Sequence, residues 1–91
     1  MREIVRQTKF KADMKRVART GKYDIEILIE VVRKLTEDAP LPPSCQDHAL
    51  SGNWKGFREC HVKPDWLLIY KLDPGRLILV RTGTHGELFN K

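Results

Sequence analysis

Apolar residues recur at helical spacing twice in the first part of this chain. Phe10, Met14, Val17 and Ala18 share one face of a segment ending at Gly21, which suits a left-handed helix terminus. Ile25, Leu28, Ile29, Val32 and Leu35 share one face of the next, and Ile27 and Val31 widen it. Thr8 and Asp24 are the expected N-caps, and Tyr23 is placed to staple against Leu28. The short link Lys22-Tyr23 makes the two helices an antiparallel hairpin. Before them, residues 2–6 read as a short strand around Ile4. After them the pattern breaks. From Asp38 to Asn53, Pro40, Pro42 and Pro43 forbid a helix, and Ser, Asp, Gly and Asn favour turns. A loop that long in a small domain is usually functional or disordered, and this one holds His48.

From Lys55 the period changes to two. Phe57, Glu59 and His61 fall on one side of a strand and Arg58, Cys60 and Val62 on the other. Trp66 to Leu72 is almost continuously apolar, as a central strand covered on both faces would be. Asp73-Pro74-Gly75-Arg76 is a turn, and Leu77 to Thr82 returns. With Pro74-Gly75 as the loop residues, symmetric pairing sets Leu72 opposite Leu77, Tyr70 opposite Leu79, Leu68 opposite Arg81 and Trp66 opposite Gly83. His85 then lies near Pro64 and Asp65, and the preceding turn brings His61 to the same end. His61, Asp65, Trp66 and His85 therefore converge, with Arg81 one step inside. A bulge would shift the pairing by a residue without separating the ends.

Length and composition narrow the class. Ninety-one residues make one domain, 1–91, with a modest core. Hydrophobic residues at 41% and charged residues at 32% suit a soluble protein rather than a disordered one. No apolar run is long enough to span a membrane, and Met1 to Arg6 lacks a signal-peptide core, so a cytoplasmic protein is expected. Cys45 and Cys60 are too few for a disulfide framework and read as reduced thiols. The formal net charge is +5, and residues 1–20, with seven Lys/Arg against two Asp/Glu, carry all of it. Such a stretch fits a polyanion or an acidic protein partner; a solvated helix face is the plainer account.

A His, Asp and Arg cluster with no paired Ser or Cys nucleophile points to proton transfer around a phosphate. RNA supplies its own nucleophile, the 2′-hydroxyl. A protein need only take that proton, steady the phosphorus centre and protonate the departing 5′-oxygen. Histidine suits both transfers because it titrates near neutrality. Arg81 is the candidate for the developing charge and Trp66 or Phe89 for base stacking. Trp66 at a strand start is more often core, by about two to one, and Asp65 after Pro64 suits a plain turn. Cys60 and His61, adjacent on a strand, point to opposite faces and do not easily share a metal; the three histidines with Asp65 are the remaining metal alternative.

The run Asp47-His48-Ala49-Leu50-Ser51-Gly52-Asn53-Trp54-Lys55-Gly56-Phe57-Arg58-Glu59-Cys60-His61-Val62-Lys63-Pro64-Asp65-Trp66-Leu67-Leu68-Ile69-Tyr70 resembles the signature of YafQ-type toxins of the RelE/ParE superfamily, and Arg81-Thr82-Gly83-Thr84-His85 through Leu88-Phe89 continues it. The resemblance implies an α+β, RelE-like β-α-α-β-β-β fold, two helices on a four-stranded, mostly antiparallel sheet. It implies the toxin of a type II toxin–antitoxin system, a ribosome-dependent endoribonuclease that cleaves mRNA in the decoding site with no metal or other cofactor. Its catalytic set falls on His48, His61, Asp65 and His85, supported by Trp66 and Phe89, with Arg81 on phosphate. His48 enters through the resemblance alone. The implied partners are a cognate antitoxin, the ribosome with its mRNA, and operator DNA through the antitoxin. A ParE-like gyrase poison and a non-catalytic module of the same fold are the alternatives.

Overall fold

The computed structural model describes residues 1–89. It orders the chain as β1 (Glu3–Arg6), α1 (Thr8–Thr20), α2 (Ile25–Thr36), β2 (His48–Ala49), β3 (Arg58–Lys63), β4 (Trp66–Asp73), β5 (Arg76–Gly83) and α3 (His85–Phe89). The sheet runs β1-β5-β4-β3-β2, with β1 parallel to β5 and the other neighbours antiparallel. The α+β class and the helical hairpin on a mostly antiparallel sheet stand as expected. Two elements exceed the expectation. Part of the long loop adds β2 as a fifth strand, and α3 follows β5. Both are too short to leave a periodic signal in sequence.

Helix ends follow local chemistry. Gly21 closes α1 at φ 67°, and the Asp24 side chain accepts from the Glu26 N–H at the start of α2. Thr8 is not the cap of α1. It is the first helical residue, and Gln7 takes the cap position without a side-chain hydrogen bond. Phe10, Val17, Leu28, Val31 and Leu35 bury the helices against Cys60, Val62, Trp66, Leu68, Tyr70, Leu77 and Leu79. The opposite face of the sheet packs Leu67, Ile69, Ile78 and Val80 under Leu50, Trp54, Phe57, Leu88 and Phe89. Strand β4 is thus covered on both sides, as its unbroken apolar sequence requires.

The β4–β5 register matches as far as Tyr70↔Leu79 and then slips. The pairs become Ile69↔Arg81, Leu68↔Thr82 and Leu67↔Gly83, where Leu68↔Arg81 and Trp66↔Gly83 were expected. Val80 is the extra residue of a bulge, which bends β5 one residue beyond the last β1 pair, Arg6↔Leu79. A second irregularity, between His61 and Lys63, bends β3 at the turn to β4. The expected ends still meet.

Candidate active site

The alternation of β3 puts Cys60 and Val62 in the helix-side core and turns Glu59 and His61 to the other face. Pairing of β2 with β3 sets His48 opposite Glu59. The Glu59 carboxylate, whose side chain is only 6% exposed, lies 3.5 Å from His48 Nε2 and 3.6 Å from His61 Nε2. In each imidazole the other nitrogen meets a carbonyl: His48 Nδ1 is 2.6 Å from the Gln46 oxygen, His61 Nδ1 3.3 Å from that of Pro64. A carbonyl only accepts, so Nδ1 carries the proton and Nε2 is left facing Glu59.

His85 is fixed by a different carboxylate. Its Nδ1 and its backbone N–H donate to Asp65 Oδ1 at 3.0 and 3.2 Å. The His85 side-chain hydrogen bond, then the backbone one, hold the Asp65 carboxyl below its usual range. His85 Nε2 is again the free nitrogen. The rings of His61 and His85 lie edge to face, centroids 5.6 Å apart. One ligand-capable atom from each of Glu59, His61 and His85 falls within 4.8 Å of the others. The result is two imidazoles side by side: His85, hydrogen-bonded to Asp65 with Nε2 free, and His61, whose Nε2 faces a carboxylate that favours the ring once it has taken a proton.

Several expectations need correcting. Asp65, expected to converge with both His61 and His85, gives its hydrogen bonds to His85; Glu59, on the His61 side of the strand, is the carboxylate that faces His61. Trp66 is not a base platform. It is 1% exposed, stacks against Tyr23 and donates through Nε1 to Thr82 Oγ1 at 2.9 Å, so its support is structural. Arg81 does not lie free between the histidines. Its Nε and Nη2 donate to Asp13 at 2.6 and 3.0 Å, and among the described residues its side-chain hydrogen bonds all go there. Phe89 is half-buried, 6.4 Å from the His85 ring and 6.0 Å from Trp54.

Two acids escaped the sequence reading. Glu59 was visible in the alternation, two residues before His61; its partner strand β2 was not. Asp13 lay hidden among the bases of α1. It is 2% exposed and accepts from Arg81, from Arg16 Nη1 at 2.9 Å and from the Thr82 N–H at 3.1 Å. Burial opposes its charge, but these hydrogen bonds outweigh burial and keep its carboxyl below the usual range. Arg16 also reaches Glu87 at 2.9 Å, tying α3, and so His85, to α1. Asp47 anchors the loop beside His48: the Tyr70 hydroxyl donates to it at 2.5 Å and Arg58 lies 3.3 Å away. Cys45 and Cys60 are free, buried thiols whose pKa values burial pushes up, so neither is a poised nucleophile.

Fold and site together define a small α+β protein with a histidine–carboxylate cluster at one end of its sheet. The family model for YafQ, the bacterial toxin of type II toxin–antitoxin systems, matches residues 2–90. The mRNA interferase toxin YafQ of Escherichia coli K12 is 39% identical over 88 residues, 97% of this chain and 96% of its own. Among solved structures, a metal-bound toxin from Helicobacter pylori superposes with a TM-score of 0.89 at 43% identity, covering 98% of this chain and 100% of its own. YafQ in the E. coli DinJ–YafQ complex gives 0.86 at 41% identity, with 98% and 99% covered. The chain belongs to the YafQ family of type II toxin–antitoxin toxins. Among the described residues no helix is long and apolar enough to cross a membrane.

Proposed function

We propose that this chain is an endoribonuclease that cleaves mRNA on the ribosome and is held in check by an antitoxin, which also carries it to operator DNA. The observation that carries this is the pairing of His61 beside Glu59 with His85 on Asp65, two fixed imidazoles with no protein nucleophile between them. RNA fills the gap. Its 2′-hydroxyl attacks the adjacent phosphorus as His61 Nε2, flanked by Glu59 and His48, takes the proton. The bond to the 5′-oxygen breaks, and protonated His85 delivers a proton to that oxygen through Nε2. The products are a 2′,3′-cyclic phosphate, which water opens to a 3′-phosphate, and a 5′-hydroxyl. The curated relative named an mRNA interferase supports the class of substrate.

The antitoxin half rests on a separate surface. Ile4, Phe10, Met14, Leu28, Ile29 and Val32 line an apolar groove of about 610 Å³, with Ile4 47% and Ile29 53% exposed. It lies beside the edge strand β1, which has no neighbour on its outer side among the described residues. An added strand or helix with apolar side chains fits such a place, and the DinJ–YafQ complex shows a relative that takes an antitoxin.

End analysis of RNA cut on translating ribosomes tests the chemistry. Cyclic or 3′-phosphate ends with 5′-hydroxyl ends are expected; 5′-phosphates would overturn the mechanism. The same experiment addresses metal. Two imidazoles and a carboxylate within 4.8 Å suit a transition-metal ion, and a relative is metal-bound. Such an ion would occupy the nitrogens that proton transfer needs. Added zinc is therefore expected to slow cleavage, and chelator to leave the rate unchanged.

A further inference from the structure

The outer face of the sheet holds a second recess away from the histidines. Arg6, Lys9 and Arg81 provide its charge and Trp54 and Val80 its apolar wall, around a volume of about 590 Å³. Its cations differ in availability. Arg81 is committed to Asp13, whereas Arg6 and Lys9 are exposed and have no acidic partner among the described residues. Most of the basic excess noted in residues 1–20 is solvated, but these two bases face a wall that can take a base. The recess connects to the reaction centre through aromatic rings. His85 neighbours Phe89 at 6.4 Å, and Phe89 neighbours Trp54 at 6.0 Å, edge to face. His61 also neighbours His85, with centroids 5.6 Å apart. Neighbour by neighbour, the contacts run from His61 to His85 to Phe89 to Trp54, which lines the recess with the cations.

We propose that this recess binds the RNA strand just 3′ of the cleaved bond, with Trp54 against a base and Arg6 and Lys9 on the phosphates that follow. The inference rests on the endoribonuclease reading, in which His85 protonates the 5′-oxygen. That oxygen belongs to the nucleotide on the 3′ side. The rings leading away from His85 therefore lie along the departing strand, and the recess is where that strand arrives. Alternating aromatic faces and unpaired cations are how proteins hold single strands without reading their sequence. Arg6 and Lys9 are thus positioning residues for the substrate.

The test compares two mRNAs on ribosomes, one ending a single nucleotide after the cut and one continuing beyond it. Wild type is expected to favour the longer message in kcat/KM. In Arg6→Gln/Lys9→Gln, two surface changes that spare the core, that advantage is expected to shrink by about tenfold, mainly through KM, as lost phosphate contacts dictate. Trp54→Leu is expected to reduce it too, while Trp54→Phe retains it. Equal slowing of both messages by the double variant would mean that the cations contact ribosomal RNA, and would overturn the assignment. An unchanged advantage would overturn it as well. Failure of wild type to cut either message would overturn the endoribonuclease reading itself, a separate outcome.

Discussion

One carboxylate oxygen of Asp65 holds His85 at two points, its ring and its backbone. The hydrogen bonds that lower the Asp65 pKa are the ones that orient His85, which gives the pH dependence a sign. A depressed carboxylate is ionised above its ordinary titration range, and its pairing is lost only as pH falls through the lowered value. His85 therefore stays oriented at pH values where a free aspartate would already be protonated. Carboxyl NMR titration is expected to find Asp65 below the normal range in wild type and shifted back toward it in His85→Ala; an unmoved titration would deny the coupling. His85→Ala is expected to slow cleavage by about 10²–10⁴. A substrate whose leaving group needs no proton should rescue this variant and not His61→Ala. Rescue of His61→Ala instead would reverse the two roles.

At the scale of elements, the position of His85 depends on one glycine. Gly83 ends β5 at φ +154°, and a Cβ there would lie 2.7 Å from Arg16 Nη2 and 2.8 Å from Glu87 Oε1. Those atoms belong to the pair that ties α3 to α1. Gly83→Ala both strains the backbone and pries the pair apart. We expect a loss of about 1–3 kcal/mol in urea unfolding and a rate loss larger than that of Arg16→Ala, because α3 carries His85. A variant as active and stable as wild type would show that α3 is set by something else. This device was illegible in sequence, where Gly83 was only the residue opposite Trp66. The strands and the Asp73–Arg76 turn were legible because alternation and turn chemistry are local. The Val80 bulge was not, since it is an irregularity in the pairing of two strands and leaves no mark on the alternation of either. Asp65 was found as a site residue but its partner was not, since the turn between β3 and β4 allowed either histidine. Trp66 was read partly as a ligand surface because sequence cannot tell a covered strand end from an open one.

For the molecule as a whole, the sheet separates two tasks. Its outer face and one end carry the histidines and the basic recess, and the helix side carries the apolar groove beside β1. An antitoxin in the groove would not by its position alone cover His61 or His85, so a chain reaching from the groove around the sheet would be needed to block the site. Ile29 is the sharpest probe of the first contact. It is 53% exposed on α2, so Ile29→Glu removes apolar surface without opening the core. Antitoxin affinity measured by calorimetry is expected to fall about tenfold or more, with the melting temperature nearly unchanged. Ile4→Glu, on the free edge strand, should weaken binding in the same direction. If both variants bind the antitoxin as tightly as wild type while remaining folded, the groove is not its seat.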